Sequence, residues 1–430
     1  MSAPRSTRVP QGVVEFFGTP AFTAALALLT LLSAFGAYAI RGLIGWPGLV
    51  GVVGILVLLA TASLIAQRNI IEWRGALPLT VVLFVGWSIV SFAWSEYQTA
   101  TLGGVLYQLI FTFFGIYVAL VRDTIQIVRV VGDTLRILLT ISLALEILSG
   151  IILNTPFAFL SIQGNIAYGG PIQGLFGSRN QLSIVALIAF VTFLIELRTR
   201  SVPRGRAGYS IVLATVCLGF THSPVIAAVS IFVGLATFAL FMVRKIPEHR
   251  RKYAQWALAT FTLLLAVISL IFRSGVISLL NARTDFQVRY QLWVQLWYLI
   301  RMQQPFGWGW VGPWPTDTFP FTAILASVKA YHSTALNAYL DVYFQLGFIG
   351  LALFVLLIIA TFARCWVLGS NRRSVVYAWA PLVLVALIVT SVFESTILVE
   401  SGWMILVICA VKAAQGVGWQ LSRREYPPLS

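Results

Sequence analysis

The chain has 430 residues, of which 59% are hydrophobic and only 10% are charged, and its net charge is +15. Because a soluble globular chain carries about 25% charged residues, this composition excludes an ordinary soluble domain and indicates a polytopic membrane protein. The three cysteines, Cys217, Cys365 and Cys409, lie in or beside apolar runs without a CxxC pair, which supports neither a zinc site nor a disulfide framework.

Twelve apolar segments meet or approach the length of about 20 residues that a membrane-spanning helix needs. In chain order they are 20–40, 46–66, 77–95, 99–121, 135–154, 181–197, 207–221, 224–243, 255–272, 337–363, 375–393 and 402–418. The sequence therefore predicts an all-α polytopic membrane protein with about 12 transmembrane helices and one large external loop that contains an amphipathic helix. The predicted parts are a cytoplasmic tail (1–19), helices 1–9 (20–272), the external loop (273–336), helices 10–12 (337–418) and a second cytoplasmic tail (419–430).

The basic residues predict the orientation of these helices. With the N-terminus inside, 22 of the 29 basic residues fall in inner segments, as the positive-inside rule requires. The seven others are Arg41, Arg179, Arg273, Arg283, Arg289, Arg301 and Lys329. We therefore expect both termini in the cytoplasm, and the excess of positive charge needs no nucleic-acid partner.

Two predicted outer segments are long enough to form a site. Residues 154–181 are rich in glycine and amides, and their single charge is Arg179. The second segment is the external loop, in which residues 286–302 are predicted to form the amphipathic helix. Arg289, Trp293, Trp297 and Arg301 share one face of this helix, and Leu292, Leu296 and Leu299 lie opposite. This pattern suits a helix at the membrane interface.

The outer arginines Arg179 and Arg289 are candidates for binding phosphate. A guanidinium matches phosphate bidentately, and at an outer membrane surface the phosphate belongs to a lipid headgroup or a lipid-linked diphosphate. The alternative is that these arginines snorkel or pair with an acid, for which the candidates are Asp285, Asp317 and Glu96.

Two further ionisable residues have open interpretations. His332 either caps the tenth span or, with an ordinary pKa of about 6.5, takes a proton from a hydroxyl near neutral pH. Glu146 lies within the fifth span, where an ionisable group is costly. It is therefore a functional candidate, unless it is paired with an amide or a helix.

Three local patterns resemble the O-antigen ligase / O-antigen polymerase superfamily, including exopolysaccharide polymerases. They are "GLFGSRNQLS" (174–183), "RYQLW" (289–293) followed by "PFGWGW" (305–310), and "NAYLDVYFQLGFIGLALF" (337–354). The first is similar to the glycine-rich entry to a central span, and the second to an R-x-x-x-W…P-x-x-G-x-G segment. The third is similar to an H-N-x-x-L…G-x-x-G segment. The number of spans, the inside termini and the late external loop agree with this resemblance.

The resemblance implies a membrane glycosyltransferase that works without a metal or other cofactor on the outer face of the bacterial cytoplasmic membrane. Its donor would be a glycan on polyprenyl diphosphate, and its acceptor a glycan or glycolipid hydroxyl. Arg179 and Arg289 would stabilise the leaving diphosphate, and His332 would act as general base or orient the acceptor. The further substrate-binding candidates are Arg283, Asn180, Trp293, Arg301, Asn337 and Asp341. Membrane lipids and other envelope-assembly membrane proteins are the remaining expected partners.

This chain departs from the family pattern at two places. The family histidine often directly precedes the asparagine, whereas here Leu336 has that place and His332 lies four residues earlier. Ser223-Pro224 stands where the family often has Ser-Arg. On a continuous helix a four-residue offset keeps the same face and moves the side chain by about 5 Å along the axis.

Two other classes of function are weighed against the glycosyltransferase. A transporter or flippase of a lipid-linked saccharide would use the same basic external groove, but it should show internal repeats and broken helices. No convincing half-to-half repeat is found. A non-catalytic scaffold would use the aromatic external helix as a partner surface. No DxD or paired acid occurs in the first outer loop, "RGLIGWPG", which argues against a metal-dependent glycosyltransferase of that kind.

Overall fold

The computed structural model describes residues 16–271, 283–303, 305–328 and 332–425. Most of the first predicted tail, the end of the second, and parts of the predicted external loop (273–282, 304 and 329–331) lie outside the described residues. Within them the chain is helical and contains no strand. The described helices are α1 (Pro20–Phe35), α2 (Ala37–Ala66), α3 (Leu79–Val90), α4 (Gln98–Val121), α5 (Thr124–Ile147), α6 (Arg179–Thr199), α7 (Arg204–Thr221), α8 (Pro224–Lys245), α9 (Glu248–Ile271), α10 (Arg283–Met302), α11 (Phe321–Val328), α12 (Ala338–Asn371), α13 (Trp379–Thr390) and α14 (Glu400–Glu425).

This is a membrane-embedded helical protein. Six helical stretches in the described residues are long and apolar enough to cross a bilayer, namely Ala37–Ala66, Gln98–Val121, Thr124–Ile152, Arg179–Thr199, Pro224–Lys245 and Ala338–Asn371. Three shorter apolar helices, Pro20–Phe35, Leu79–Ala93 and Val375–Thr390, accompany them. Each of the twelve predicted segments overlaps a helix, whereas the count of twelve spans stays a prediction.

The fifth predicted span begins eleven residues earlier than expected, at Thr124 instead of 135. Asp123 accepts a hydrogen bond from the backbone N–H of Gln126, and the Gln126 side chain accepts one from the backbone of Asp123. This reciprocal cap satisfies two N–H groups at the helix start. Arg129 and Arg136 are among the 22 basic residues counted in the predicted inner segments, and both lie within α5.

Glycines interrupt two of the long helices. At Gly45 and at Gly347 the backbone has φ of 72° and 66°, so each helix consists of two parts at an angle. In α12 the break lies next to residues 305–309, where Trp308 and Gly309 donate backbone hydrogen bonds to the carbonyls of Phe344 and Gln345. A side chain at Gly347 would place its Cβ 1.8 Å from the carbonyl oxygen of Pro305. The glycine thus allows the aromatic turn to reach the backbone of α12.

The leucine face of α10 packs on protein. Leu292, Leu296 and Leu299 are buried in a cluster that includes Trp308, Trp314, Phe321 and Phe344. The predicted common face of Arg289, Trp293, Trp297 and Arg301 is only partly realised, because Arg289 is buried and Arg301 is exposed. Side chains four residues apart on a helix differ in direction by about 40°. Arg301 is three such steps after Arg289, so it points about 120° away from the buried direction of Arg289.

The ends of many helices meet at one end of the bundle, which we call the loop end. It contains the ends of α5, α7 and α13, the starts of α6, α8, α12 and α14, and the segments 154–178, 305–328 and 332–336. The most enclosed helices behind it are α6 and α14. Every residue of α14 from Gly402 to Val411 is buried, which gives the loop end a rigid base.

Candidate functional site

The start of α6 places two predicted site residues at the loop end. Ser178 caps the helix by accepting a hydrogen bond from the backbone N–H of Gln181 at 3.2 Å. Arg179 and Asn180 form the first turn directly after this cap and are half-buried. The glycine-rich segment before Ser178 therefore delivers both side chains to a helix N-terminus, where the backbone N–H groups favour negative charge.

The side chain of Asn180 is fixed by two neighbours. Its Nδ2 donates to Oε1 of Glu394 at 2.7 Å, and its Oδ1 accepts from the hydroxyl of Ser223 at 2.9 Å. Since a carboxylate only accepts and the hydroxyl here donates, these two bonds determine the orientation of the amide. Asn180 thus joins the start of α6 to the turn after α13 and to the turn before α8.

Arg289 reaches the same carboxylate from α10. Its Nη2 donates to Oε1 of Glu394 at 2.9 Å, and its Nε donates to the carbonyl of Phe393 at 3.2 Å. The side chains of both ion-pair partners are less than one-tenth exposed. One carboxylate oxygen therefore accepts hydrogen bonds from two predicted site residues, Asn180 and Arg289, and holds them side by side.

His332 lies beside this group. It is half-buried, and burial together with the positive charge of Arg289 lowers its pKa from the ordinary value of 6.5. Its Nε2 is enclosed and has no hydrogen-bond partner among the described residues. The imidazole is therefore neutral at pH 7, which is the form that accepts a proton.

The segment that carries His332 is fastened by Asp341 and Asn337. Asp341, which is buried, accepts hydrogen bonds from Trp314 Nε1 at 2.9 Å and from the backbone N–H of Ala335 at 3.2 Å. Asn337 caps α12 by accepting from the backbone N–H of Leu340 at 3.0 Å. Both were predicted to bind substrate, which stays a prediction, and their contacts here are structural.

The three remaining candidates lie along α10. Trp293 donates from Nε1 to the carbonyl of Ala335 at 2.9 Å and so ties α10 to the segment of His332. Arg301 is exposed twelve residues after Arg289, which corresponds to about 18 Å of helix. Arg283 begins the helix, and its side chain lies outside the described residues. The structure thus brings Asn180, Arg289 and His332 together, with Arg179 adjacent in sequence.

The sequence interpretation missed Glu394 and Ser223 as members of this group. It named Asp285, Asp317 and Glu96 as possible partners of the outer arginines, whereas the carboxylate on Arg289 belongs to Glu394. The sequence does contain a feature that could have indicated Glu394 as a partner, because Glu394 is one of two acids in the turn between the last two predicted spans. The other acid, Glu400, is hydrogen-bonded to Arg41 and Tyr107 and forms a separate pair.

The described part of the chain offers no cluster of metal ligands. Across 16–271, 283–303, 305–328 and 332–425, no group of three or more His, Cys, Asp or Glu side chains is arranged to hold a metal ion.

A family model described as O-antigen ligase matches residues 207–355, which contain α7 to the first half of α12 and so include Ser223, Arg289 and His332. No curated protein matches the chain.

Proposed function

We propose that this chain is a membrane glycosyltransferase acting on a polyprenyl-diphosphate-linked glycan, and the O-antigen ligase match over residues 207–355 supports this proposal. The family supports a glycosyltransferase of the ligase or polymerase type in general terms. The donor, the acceptor hydroxyl on a glycan or glycolipid, and a mechanism without a metal are our proposal.

The observation that carries the proposal is the meeting of Arg289 and Asn180 at Glu394, with His332 close enough to Arg289 to feel its charge. A diphosphate leaves readily once its charge is stabilised, and guanidinium groups held in place beforehand stabilise it without reorganisation. Glu394 holds Arg289 in one orientation. Arg179, at the first turn of α6, adds a second guanidinium beside a helix N-terminus.

The proposed reaction is a direct displacement at the anomeric carbon. The acceptor oxygen forms a bond to this carbon while its proton moves to Nε2 of His332. The bond from the anomeric carbon to the diphosphate oxygen breaks, and polyprenyl diphosphate leaves with the electron pair. Arg179 and Arg289 bind the developing charge, and the anomeric configuration inverts.

We further propose that the loop end faces outward from the bacterial cytoplasmic membrane and that both termini lie in the cytoplasm. The distribution of basic residues supports this orientation. The amphiphilic donor then reaches the site from the surrounding lipid. Substrate-binding roles for Arg283, Trp293 and Arg301 stay predictions.

Glycosyl transfer by the purified protein in detergent tests the proposal. With a polyprenyl-diphosphate glycan as donor, we expect formation of a glycosidic bond and release of polyprenyl diphosphate. Arg289→Ala and His332→Ala should each lower kcat/KM about tenfold or more, in the range expected for one lost electrostatic or proton-transfer group. Arg373→Ala, at an exposed position in the turn after α12, is the control. Binding of the donor without bond formation would support a transporter instead.

A further inference from the structure

Glu146 is a buried acid that the proposed reaction does not use. It lies in the last turn of α5 and is 1% exposed. Its Oε1 accepts two backbone hydrogen bonds, from Gln173 N at 2.7 Å and from Gly174 N at 2.8 Å. A buried carboxyl oxygen that accepts hydrogen bonds from two consecutive backbone amides is a strong attachment point for that stretch of backbone.

A second residue of α5 holds the next amide. The hydroxyl of Ser142, one turn before Glu146, accepts a hydrogen bond from Leu175 N at 3.1 Å. Gly174 has φ of +56°, and a Cβ at this position would lie 2.5 Å from Cβ of Ser142. Three consecutive amides of the glycine-rich segment are thus attached to one face of α5.

The attached stretch leads directly into the candidate site. Residues 174–176 form one short turn, Gly177 follows with φ of +76°, and Ser178 caps α6. A Cβ at Gly177 would lie 2.4 Å from the ring of Tyr38, so the segment has no room to shift toward α2. Only four residues separate Gly174 from Arg179, and the backbone between them is fixed at both ends.

We infer that Glu146 is a positioning residue for Arg179 and Asn180, acting through the backbone of residues 173–178 and with Ser142 as its helper. This inference rests on the proposed function, because the ligand of the positioned groups is the diphosphate of the lipid-linked donor. Glu146 contacts no reacting atom in this scheme. It acts by holding the first turn of α6 in place, where Asn180 contacts the same oxygen of Glu394 as Arg289 does.

The test compares Glu146→Leu with Glu146→Gln. Glutamine keeps an oxygen that can accept both backbone hydrogen bonds, whereas leucine keeps the approximate volume and removes the acceptor. The matched control is Thr140→Val, since Thr140 is on the same helix and bonds only to Arg136 O and Tyr209 OH among the described hydrogen bonds. Ser142→Ala is a milder variant that serves if Glu146→Leu does not fold.

Two measurements are made on each folded variant. Hydrogen exchange reports the attachment of the segment, and binding of a glycan-free polyprenyl diphosphate reports the positioning. For Glu146→Leu we expect amide exchange in residues 173–180 to be about tenfold faster and probe binding about tenfold weaker, since two buried hydrogen bonds are lost. In turnover the KM for the donor should rise more than kcat falls. Ser142→Ala should make amide exchange about threefold faster and probe binding about threefold weaker. Glu146→Gln and Thr140→Val should resemble wild type.

The outcomes separate the two proposals. If wild type binds the probe, and Glu146→Leu or its milder substitute exchanges faster but binds the probe unchanged, positioning by Glu146 is wrong while the proposed function stands. If exchange is unchanged as well, the attachment itself is wrong. Should wild type fail to bind the probe at all, the proposed function and the inference that rests on it both fail.

Discussion

The guanidinium of Arg289 donates a 2.9 Å hydrogen bond to the carboxylate of Glu394 from a position 105 residues earlier in the chain. Both side chains are buried, so the pair is shielded from water and its geometry is fixed by the surrounding helices. An isolated buried pair contributes little net stability, because desolvation offsets the attraction. The pair instead orients the guanidinium of Arg289 relative to Asn180, since the same carboxylate also accepts a hydrogen bond from Asn180.

The first prediction concerns Glu394→Gln. The amide keeps one acceptor oxygen but loses the charge that orients Arg289, so we expect kcat/KM for the lipid-linked donor to fall about tenfold or more. Glu400→Gln is a matched control, because Glu400 is also paired with an arginine, Arg41, in the same region of the chain. Equal losses in the two variants would contradict a specific function of Glu394.

The second prediction is a rescue. Asn180→Asp places a carboxylate against Oε1 of Glu394, where the wild-type amide donates at 2.7 Å. The repulsion should lower kcat/KM about tenfold, since like charges at this distance disfavour the arrangement. Adding Glu394→Gln supplies an amide donor to the carboxylate introduced at position 180, while Ser223 still donates from the other side.

The double variant should therefore be more active than Asn180→Asp alone, and the coupling should appear in a double-mutant cycle measured on kcat/KM. Additive losses, with no recovery in the double variant, would show that the contact between these two side chains does not organise the site.

The third prediction concerns the buried acid that fastens the segment of His332. Asp341→Asn replaces one carboxylate oxygen by an N–H₂ group, so at least one of the donors from Trp314, Gln345 and Ala335 is left without an acceptor. We expect the free energy of unfolding to fall by about 2–4 kcal/mol. Denaturant unfolding measures this, with Asp317→Asn at an exposed position as the control. A change equal to that of the control would contradict a structural role.

Much of the fold could be predicted from the sequence because membrane helices are specified locally. Each of the twelve apolar segments overlaps a helix, and the match over residues 207–355 supports the resemblance to the O-antigen ligase family. The early start of α5 could also have been predicted from the sequence, because Asp123 and Gln126 have the spacing of a helix cap. The all-helical membrane architecture is therefore confirmed, whereas the number of spans and the orientation stay predictions.

The candidate site was less accessible to sequence reasoning because its geometry depends on contacts between distant elements. Glu394 meets Asn180 across 214 residues, and no local pattern specifies which acid an arginine will meet. For Glu146 the sequence allowed two interpretations, a functional acid or an acid paired with amides. In the structure Glu146 accepts hydrogen bonds from two backbone amides. The face of α10 illustrates the same limit, since only packing decides that Arg289 is buried and Arg301 is exposed.

The last prediction is a pH dependence that arises from His332. Burial, and then the charge of Arg289, lower the pKa of its imidazole below 6.5 in the folded protein. If His332 accepts the proton of the acceptor hydroxyl, kcat/KM should be lost only as the pH falls through this lowered pKa. Stability follows the same sign. Between the folded pKa and 6.5 the unfolded chain binds more protons at this position, so the contribution of His332 to the free energy of unfolding increases with pH and levels off above 6.5.

NMR with labelled histidine measures this titration directly, because the chain contains only three histidines and His332→Gln identifies the resonance. Arg289→Gln removes the positive neighbour and should raise the pKa of His332, moving its midpoint toward 6.5 without passing it, since burial remains. A midpoint at or above 6.5 in wild type would contradict the neutral base. An unchanged midpoint in Arg289→Gln would show that Arg289 does not act on the imidazole, and the two groups would then not share one site.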